Sequence, residues 1–209
     1  MAVLENCPVC GSIALETVLN RPVMPVMQNV VYDTREAALR APKAPFQLAL
    51  CTNCGHLFNS LFDANLMAYN ERYDNLVPSA AFDAYYLQLA RHLVDRYHLE
   101  KGLIVDVGCG KGRFLEVLLE QAPGLTGIGI DPALEKEGQE GRIQWVRDIF
   151  KPGQLDTTPV LLICRHVLEH MPGPVDFLKS IHGALSGLNV PCFFEVPDAE
   201  WIIKNKAYW

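Results

Sequence analysis

The sequence predicts an α/β domain built on a parallel sheet, with a small cysteine-rich module ahead of it. Three observations carry this. Short apolar strands alternate with helical segments from Leu103 onward, a glycine loop joins the first such strand to its helix, and two Cys-x-x-Cys-Gly units precede them all.

The elements follow in order. Residues 1–62 hold four of the seven cysteines and read as loops and short strands in a zinc-binding module. Residues 63–98 read as a helical linker. Phe82, Tyr85, Tyr86, Leu89, His92, Leu93 and Arg96 recur at three- and four-residue steps, which predicts an amphipathic helix from about Ala80 to Tyr97. Ser79 is its candidate cap, with Pro78 just outside. Residues 99–209 form the core. Leu103–Val107 is the first strand, and Lys111–Gln121 a helix stopped by Pro123-Gly124. Leu125–Ile130 is the second strand, followed by Asp131-Pro132 and the start of a helix. Ile143–Val146 and Val160–Cys164 are the third and fourth strands, Pro174–Ser186 a helix ending at Gly187, and Val190–Val196 the fifth strand. Strands this apolar belong to a parallel sheet covered by helices on both faces.

Composition narrows the function. The 209 residues carry 18 basic and 24 acidic side chains, a net charge of −6, with no basic block. Nucleic acid and anionic membranes are poor partners for such a chain, and a small-molecule substrate is the better expectation. No apolar run approaches the roughly 18 residues of a membrane span. Residues 1–10 lack the basic-then-apolar layout of a signal peptide, so the expected location is the cytoplasm. Disulfides are rare there. The oligomeric state is not legible.

Cys7-Pro8-Val9-Cys10-Gly11 and Cys51-Thr52-Asn53-Cys54-Gly55 are two knuckles of the same form. Two residues between thiolates let both sulfurs reach one ion, and the trailing glycine permits a tight turn. Four thiolates make a closed tetrahedral set suited to structural Zn²⁺. A redox pair and buried free thiols are the alternatives. The segment between the knuckles exceeds the usual zinc-ribbon spacing, so a short sheet or inserted hairpin is expected there. Cys164 and Cys192 read as core strand residues, and Cys109 as a small residue within the glycine loop.

Asp106-Val107-Gly108-Cys109-Gly110-Lys111-Gly112 follows a strand and opens a helix. Glycines there let a ligand approach the backbone, and the helix start offers N–H groups. Asp131 ends the next strand, where a carboxylate can accept from ribose hydroxyls. Asp148 follows the third strand and can face an adenine. A P-loop lacks support, since no Gly-Lys-Ser/Thr ends the loop. The third glycine comes one position early for a nicotinamide fingerprint. Asp106 would repel a pyrophosphate and attract an ammonium. S-adenosylmethionine has an ammonium, a ribose and an adenine.

At these residues the loop resembles motif I of the class I S-adenosylmethionine-dependent methyltransferases, which have a Rossmann-like core. Asp131 resembles their ribose-binding acid and Asp148 their adenine-side acid. Val167-Leu168-Glu169-His170 resembles a segment common in that superfamily. With the four-cysteine module and Glu195-Val196-Pro197-Asp198, the chain is similar to the zinc-containing C-methyltransferases that act on nucleotide-linked keto-sugars. The resemblance implies cofactor contacts from Tyr73, Asp106, Gly108, Cys109, Gly110, Gly112, Asp131, Pro132, Asp148, Ile149, Arg165 and His166. Tyr73 lies in the stretch that, in the family, helps cover the cofactor; an ordinary packing tyrosine is the alternative. Family members are longer than this chain. Their tyrosine and histidine acid/base groups follow the Glu-Val-Pro-Asp strand, and two more core strands come after. The expectation is therefore a truncated core of five strands, and a module that turns over only with a downstream segment is the rival to an active enzyme.

Transfer to a carbon beside a ketone needs a base and a group to stabilise the enolate oxygen. Ligands bind beyond the carboxyl ends of parallel strands. His166, His170 and Glu195 stand there and are the catalytic candidates, with Arg165 a possible structural partner for Glu195. Methyl transfer to oxygen or nitrogen of another small molecule is the rival within enzymes.

Overall fold

A computed structural model describes residues 3–27, 30–66 and 79–207. They fall into two compact units. One comprises residues 3–66, 171–176 and 197–207, and the other residues 79–170 and 177–196.

The first unit is built on a three-stranded antiparallel sheet in the order β1 (Leu15–Pro25), β2 (Lys43–Cys51), β3 (Leu57–Asn59). The expected short sheet between the knuckles is thus present, with a small helix, α1 (Arg35–Leu39), inserted between its long strands. Thr34 caps α1 through its hydroxyl on the Ala37 N–H. Register explains how distant cysteines meet. Leu15 pairs with Cys51, so the start of β1 and the end of β2 share one end of the sheet. The unit also holds α5 (Ala199–Asn205), capped by the Asp198 carboxylate on the Trp201 N–H.

The second unit carries the α/β core. Its helix α2 (Ala80–Tyr97) matches the predicted span, and Ser79 Oγ accepts from the Phe82 N–H at 3.1 Å. Six strands follow: β4 (Lys101–Val107), β5 (Gly124–Ile130), β6 (Gly138–Glu140), β7 (Ile143–Val146), β8 (Pro159–Arg165) and β9 (Cys192–Glu195). The sheet order is β6-β7-β5-β4-β8-β9. The five predicted strands are all present and parallel, and β6 adds an antiparallel edge.

Both faces are covered. Ile104, Leu125, Trp145, Leu161 and Ile163 pack with α2 and α3 (Arg113–Gln121). Val105, Val107, Ile130, Leu162 and Cys164 pack with Ile181 of α4 (Pro174–Ala184) and Leu185 just beyond it. Period-two alternation on β4 and β8 sends successive side chains to opposite cores. Asp106 and Arg165 fall in phase with the α2/α3 face, and both are buried.

Four expectations are corrected. No helix starts after Asp131-Pro132; the chain turns and enters β6 instead. Gly138, with positive φ, opens β6 and ends the stretch in which helical turns were expected. Helix α3 begins at Arg113 rather than Lys111, because Gly110 (φ 57°) and Gly112 (φ 87°) hold the backbone in the left-handed region. The fifth strand is confined to Cys192–Glu195, while Arg165 is the last residue of the fourth rather than a residue beyond it. No helix among the described residues is long and apolar enough to cross a membrane.

Candidate functional site

The glycine loop lies between the ends of β4 and β5. Gly108 N–H donates to the Ile130 carbonyl at 2.8 Å, and Cys109 N–H to the same oxygen at 3.3 Å. Gly110 N–H donates to Asp131 Oδ2 at 2.8 Å, while Asp131 Oδ1 accepts from Ala133 N–H at 2.7 Å. Asp131 thus ties the loop to the strand beside it and keeps unused lone pairs on both oxygens. Pro132 follows, exposed. A β-carbon at Gly110 would meet nothing within 4 Å, so open space lies over the loop there. At Gly112 it would run into the Trp145 ring. Trp145 is fixed: it is 2% exposed, donates Nε1–H to Glu140 at 3.0 Å, and carries Lys136 Nζ 3.9 Å from its ring centroid. The loop rests on that ring. Arg142 fastens the far end of α3, donating to the Leu119, Ala122 and Leu125 carbonyls at 2.8–3.2 Å.

Asp106 is 2% exposed, and burial pushes its carboxyl up to about 7 against the opposing pull of Arg165. Burial also pushes the Cys109 thiol up, which leaves it neutral. Asp148 is held low by Lys151, 2.6 Å away, and accepts from the Ile149 N–H at 2.8 Å. The Ile149 side chain is 60% exposed.

Arg165 and Glu195 end neighbouring strands. Arg165 Nε donates to Glu195 Oε2 at 2.6 Å. The guanidinium packs over Phe114 at 4.1 Å and Tyr86 at 4.8 Å, and its Nη2 is buried with no hydrogen-bond partner among the described residues. Glu195 Oε1 accepts from the Tyr85 hydroxyl on α2 and lies 3.4 Å from His166 Nε2. Those donors hold Glu195 near 2 although burial opposes them. Burial, with Glu195 adding to it, pushes the Tyr85 hydroxyl up to about 12. Burial lowers His170 instead.

The predicted residues therefore gather in two clusters of the second unit. Asp106, Gly108, Cys109, Gly110, Gly112 and Asp131 form the loop, with Asp148 and Ile149 after β7. Arg165 and Glu195 end β8 and β9, and His166 and His170 follow β8. Tyr73 lies outside the described residues. Sequence reasoning missed Tyr85, read only as part of an apolar helix face, and Trp145, the loop's support. Only the adjacent Tyr85-Tyr86 pair, one more aromatic than one helix stripe needs, signalled the first.

The first unit holds the cysteine cluster. Cys7, Cys10, Cys51 and Cys54 bring their sulfurs within 4.8 Å of one another. Cys7 lies 3.7 Å from Cys54, and Cys10 lies 3.6 Å from Cys51. Thiolates about 2.3 Å from a tetrahedral ion stand about 3.8 Å apart, so the cluster fits one zinc ion. Gly11 N–H donates to the Cys7 carbonyl and Gly55 N–H to that of Cys51, which forms the two tight turns.

A parallel α/β sheet with an open glycine loop and an acidic residue on the adjoining strand defines a nucleotide- or nucleoside-binding class of domain. Residues 81–209 match the family model described as a methyltransferase domain. The chain belongs to that family. It is similar to the 2-ketoarginine methyltransferase of Streptomyces arginensis, 29% identical over 139 residues, 64% of this chain and 41% of that one. It is also similar to the mitochondrial ubiquinone biosynthesis O-methyltransferase of Schizosaccharomyces pombe, 31% identical over 87 residues, 37% of this chain and 32% of that one. The chain thus spans less than half the length of these relatives. Among solved structures it resembles the plantazolicin methyltransferase BpumL crystallised with a pentazolic substrate analogue and S-adenosylhomocysteine. The TM-score is 0.49 and the identity 16%, over 63% of this chain and 53% of that one.

Proposed function

We propose that this chain binds S-adenosylmethionine in the glycine loop and serves methyl transfer to a small-molecule acceptor. The observation that carries the reading is the closed loop with open space at Gly110, pinned to Asp131 at the adjoining strand end. Its donor set suits each part of the cofactor. Asp106 offers a carboxylate for the ammonium, the orphaned Nη2–H of Arg165 a donor for the carboxylate, Asp131 acceptors for the ribose, and Asp148 with Ile149 a polar and an apolar surface for the adenine. When bound, the cofactor supplies an electrophilic methyl group on a sulfonium.

The acceptor we favour is a carbon beside a carbonyl, as in a nucleotide-linked keto-sugar. The 2-ketoarginine relative is named for a keto compound, which supports this choice. Such a carbon loses a proton to a base, its charge collects on the carbonyl oxygen, and the new bond forms from carbon to the methyl. His166, His170 and Glu195 are the groups available beyond the sheet for that proton and that charge. In the first unit, we assign Zn²⁺ to the four cysteines as a structural ion, since four thiolates leave no position for water.

Methyl transfer to oxygen is the second reading, favoured by the ubiquinone biosynthesis O-methyltransferase relative. Isotope-labelled methyl donor with a panel of keto-sugars, keto acids and phenols separates the two. Label retained on carbon after acid hydrolysis supports the first. Label on oxygen alone overturns it.

A further inference from the structure

His166 has a carboxylate on each side of its ring. Nε2 lies 3.4 Å from Glu195 Oε1 on β9, and Nδ1 lies 3.7 Å from Glu169 Oε1 on the 3-10 turn Leu168–His170. A neutral imidazole carries one N–H and would aim a bare lone pair at one of these carboxylates. Only the imidazolium faces both favourably. The same pairing, Glu169 first and Glu195 next, pushes His166 up to about 9 against burial.

The backbone fixes the ring's position. His166 has φ 54°, a left-handed conformation that is strained for a residue with a side chain. Its N–H donates to the Glu195 carbonyl at 2.8 Å, which holds that conformation against the sheet edge. Strain kept in place this way is common where a side chain must be aimed.

The two carboxylate contacts are not equal. The Nε2 contact, at 3.4 Å, is the closer of the two, though longer than a good hydrogen bond. The Nδ1 contact is too long for a good hydrogen bond, so Glu169 favours the charge without consuming the Nδ1–H. The side chain is 43% exposed, at the strand end where ligands of such sheets bind.

We infer that His166 is a fixed cation whose Nδ1–H donates to an anionic oxygen of the acceptor, with Glu169 and Glu195 as the positioning residues that keep it charged. This rests on the reading of the chain as a methyltransferase on a carbon beside a carbonyl, where that oxygen is the enolate's. His166 is then not the base, because both its nitrogens carry protons. His170 is the neutral member of the pair, its Nε2 4.0 Å from the same Glu169 oxygen and its basicity lowered by burial, against the opposing pull of Glu169, and by His166. The acceptor C–H breaks, its proton passes to His170, and the electron pair is shared with the oxygen that His166 faces. With S-adenosylmethionine bound, that pair would form the bond to the methyl carbon as the methyl–sulfur bond breaks with its electrons to sulfur, giving S-adenosylhomocysteine. Arg165 and Tyr85 reach His166 only through Glu195, each donating to one of its oxygens.

The test is an NMR pH titration of histidine ring signals in the full chain, in Glu169→Gln and in Glu195→Gln. His166 is expected to titrate near 9, and about one to two units lower in each variant. Glu169→Gln keeps the test decisive if Glu195→Gln fails to fold. Acetate, as a simple oxyanion, should then shift the His166 Nδ1 signal saturably, and neutral acetamide should not. An ordinary His166 titration, or equal responses to acetate and acetamide, overturns the inference. S-adenosylhomocysteine titrated into the same sample separates the two levels. Binding with an ordinary His166 overturns only this inference, whereas no binding with a charged His166 overturns the methyltransferase reading beneath it.

Discussion

Arg165 Nε and Glu195 Oε2 meet at 2.6 Å across the two outermost parallel strands, with the guanidinium stacked on Phe114 and Tyr86. The pair joins the sheet edge to both helices of one face. Removing one partner of such a buried pair leaves the other charge without compensation. Glu195→Ala should therefore destabilise the chain by about 3 kcal/mol, read by denaturant unfolding. The pH dependence has a definite sign. Glu195 is held near 2 in the folded chain, below its unfolded value of 4.5. Its stabilisation is present above pH 4.5 and is lost as pH falls through about 2.

Gly110→Ala and Gly112→Ala should separate binding from folding. Both positions have positive φ, which costs alanine about 1–2 kcal/mol. At Gly112 the added methyl also strikes a buried tryptophan, so the loss of stability should reach about 3 kcal/mol. At Gly110 the methyl enters open space. That variant should fold, with a lower melting temperature, and bind S-adenosylhomocysteine at least tenfold more weakly, on the order of 1.4 kcal/mol. Calorimetry and thermal melts on the two variants check the contrast.

Cys51→Ser should lower thermal stability far more than it alters cofactor affinity in the surviving folded protein. The four sulfurs lie in the first unit, and the glycine loop lies in the second. Metal analysis should find one zinc per chain, and a chelator should reproduce the loss of stability. Equal loss of stability and affinity, or neither, contradicts a structural zinc site.

At the proposed cofactor site, Asp106 should make binding depend on pH. Its carboxyl is raised to about 7, so below that pH an ammonium ligand must first drive off a proton. Affinity for S-adenosylhomocysteine should rise as pH climbs from 5.5 to 7, approaching tenfold per unit, while the ligand's ammonium stays charged. Asp106→Asn should flatten the profile. For folding alone the sign is opposite: the cost of ionising the buried group appears as pH rises from 3.8 through about 7.

Much of this was legible in the sequence, for physical reasons. The span of α2, the five parallel strands and the four-cysteine cluster follow from apolar spacing, a serine cap and duplicated knuckles, all local signals. The glycine loop was legible because its left-handed turns need glycine, and the place of Asp131 because it follows directly on an apolar strand. What was missed is long-range. Trp145 supports Gly112 from a strand more than thirty residues on, and Tyr85 reaches Glu195 across 110 residues. Beyond the extra aromatic of the Tyr85-Tyr86 pair, no local pattern encodes such contacts. The helix expected after Asp131 failed because the left-handed Gly138 turns the chain into β6 directly after Glu135-Lys136-Glu137.

The most direct test of the central claim is calorimetric titration of the zinc-loaded chain with S-adenosylhomocysteine, beside Asp131→Ala and with NADH as a control. The account predicts micromolar binding of S-adenosylhomocysteine, loss of it in Asp131→Ala, and none with NADH. Binding of NADH, or S-adenosylhomocysteine affinity unchanged in Asp131→Ala, would contradict it.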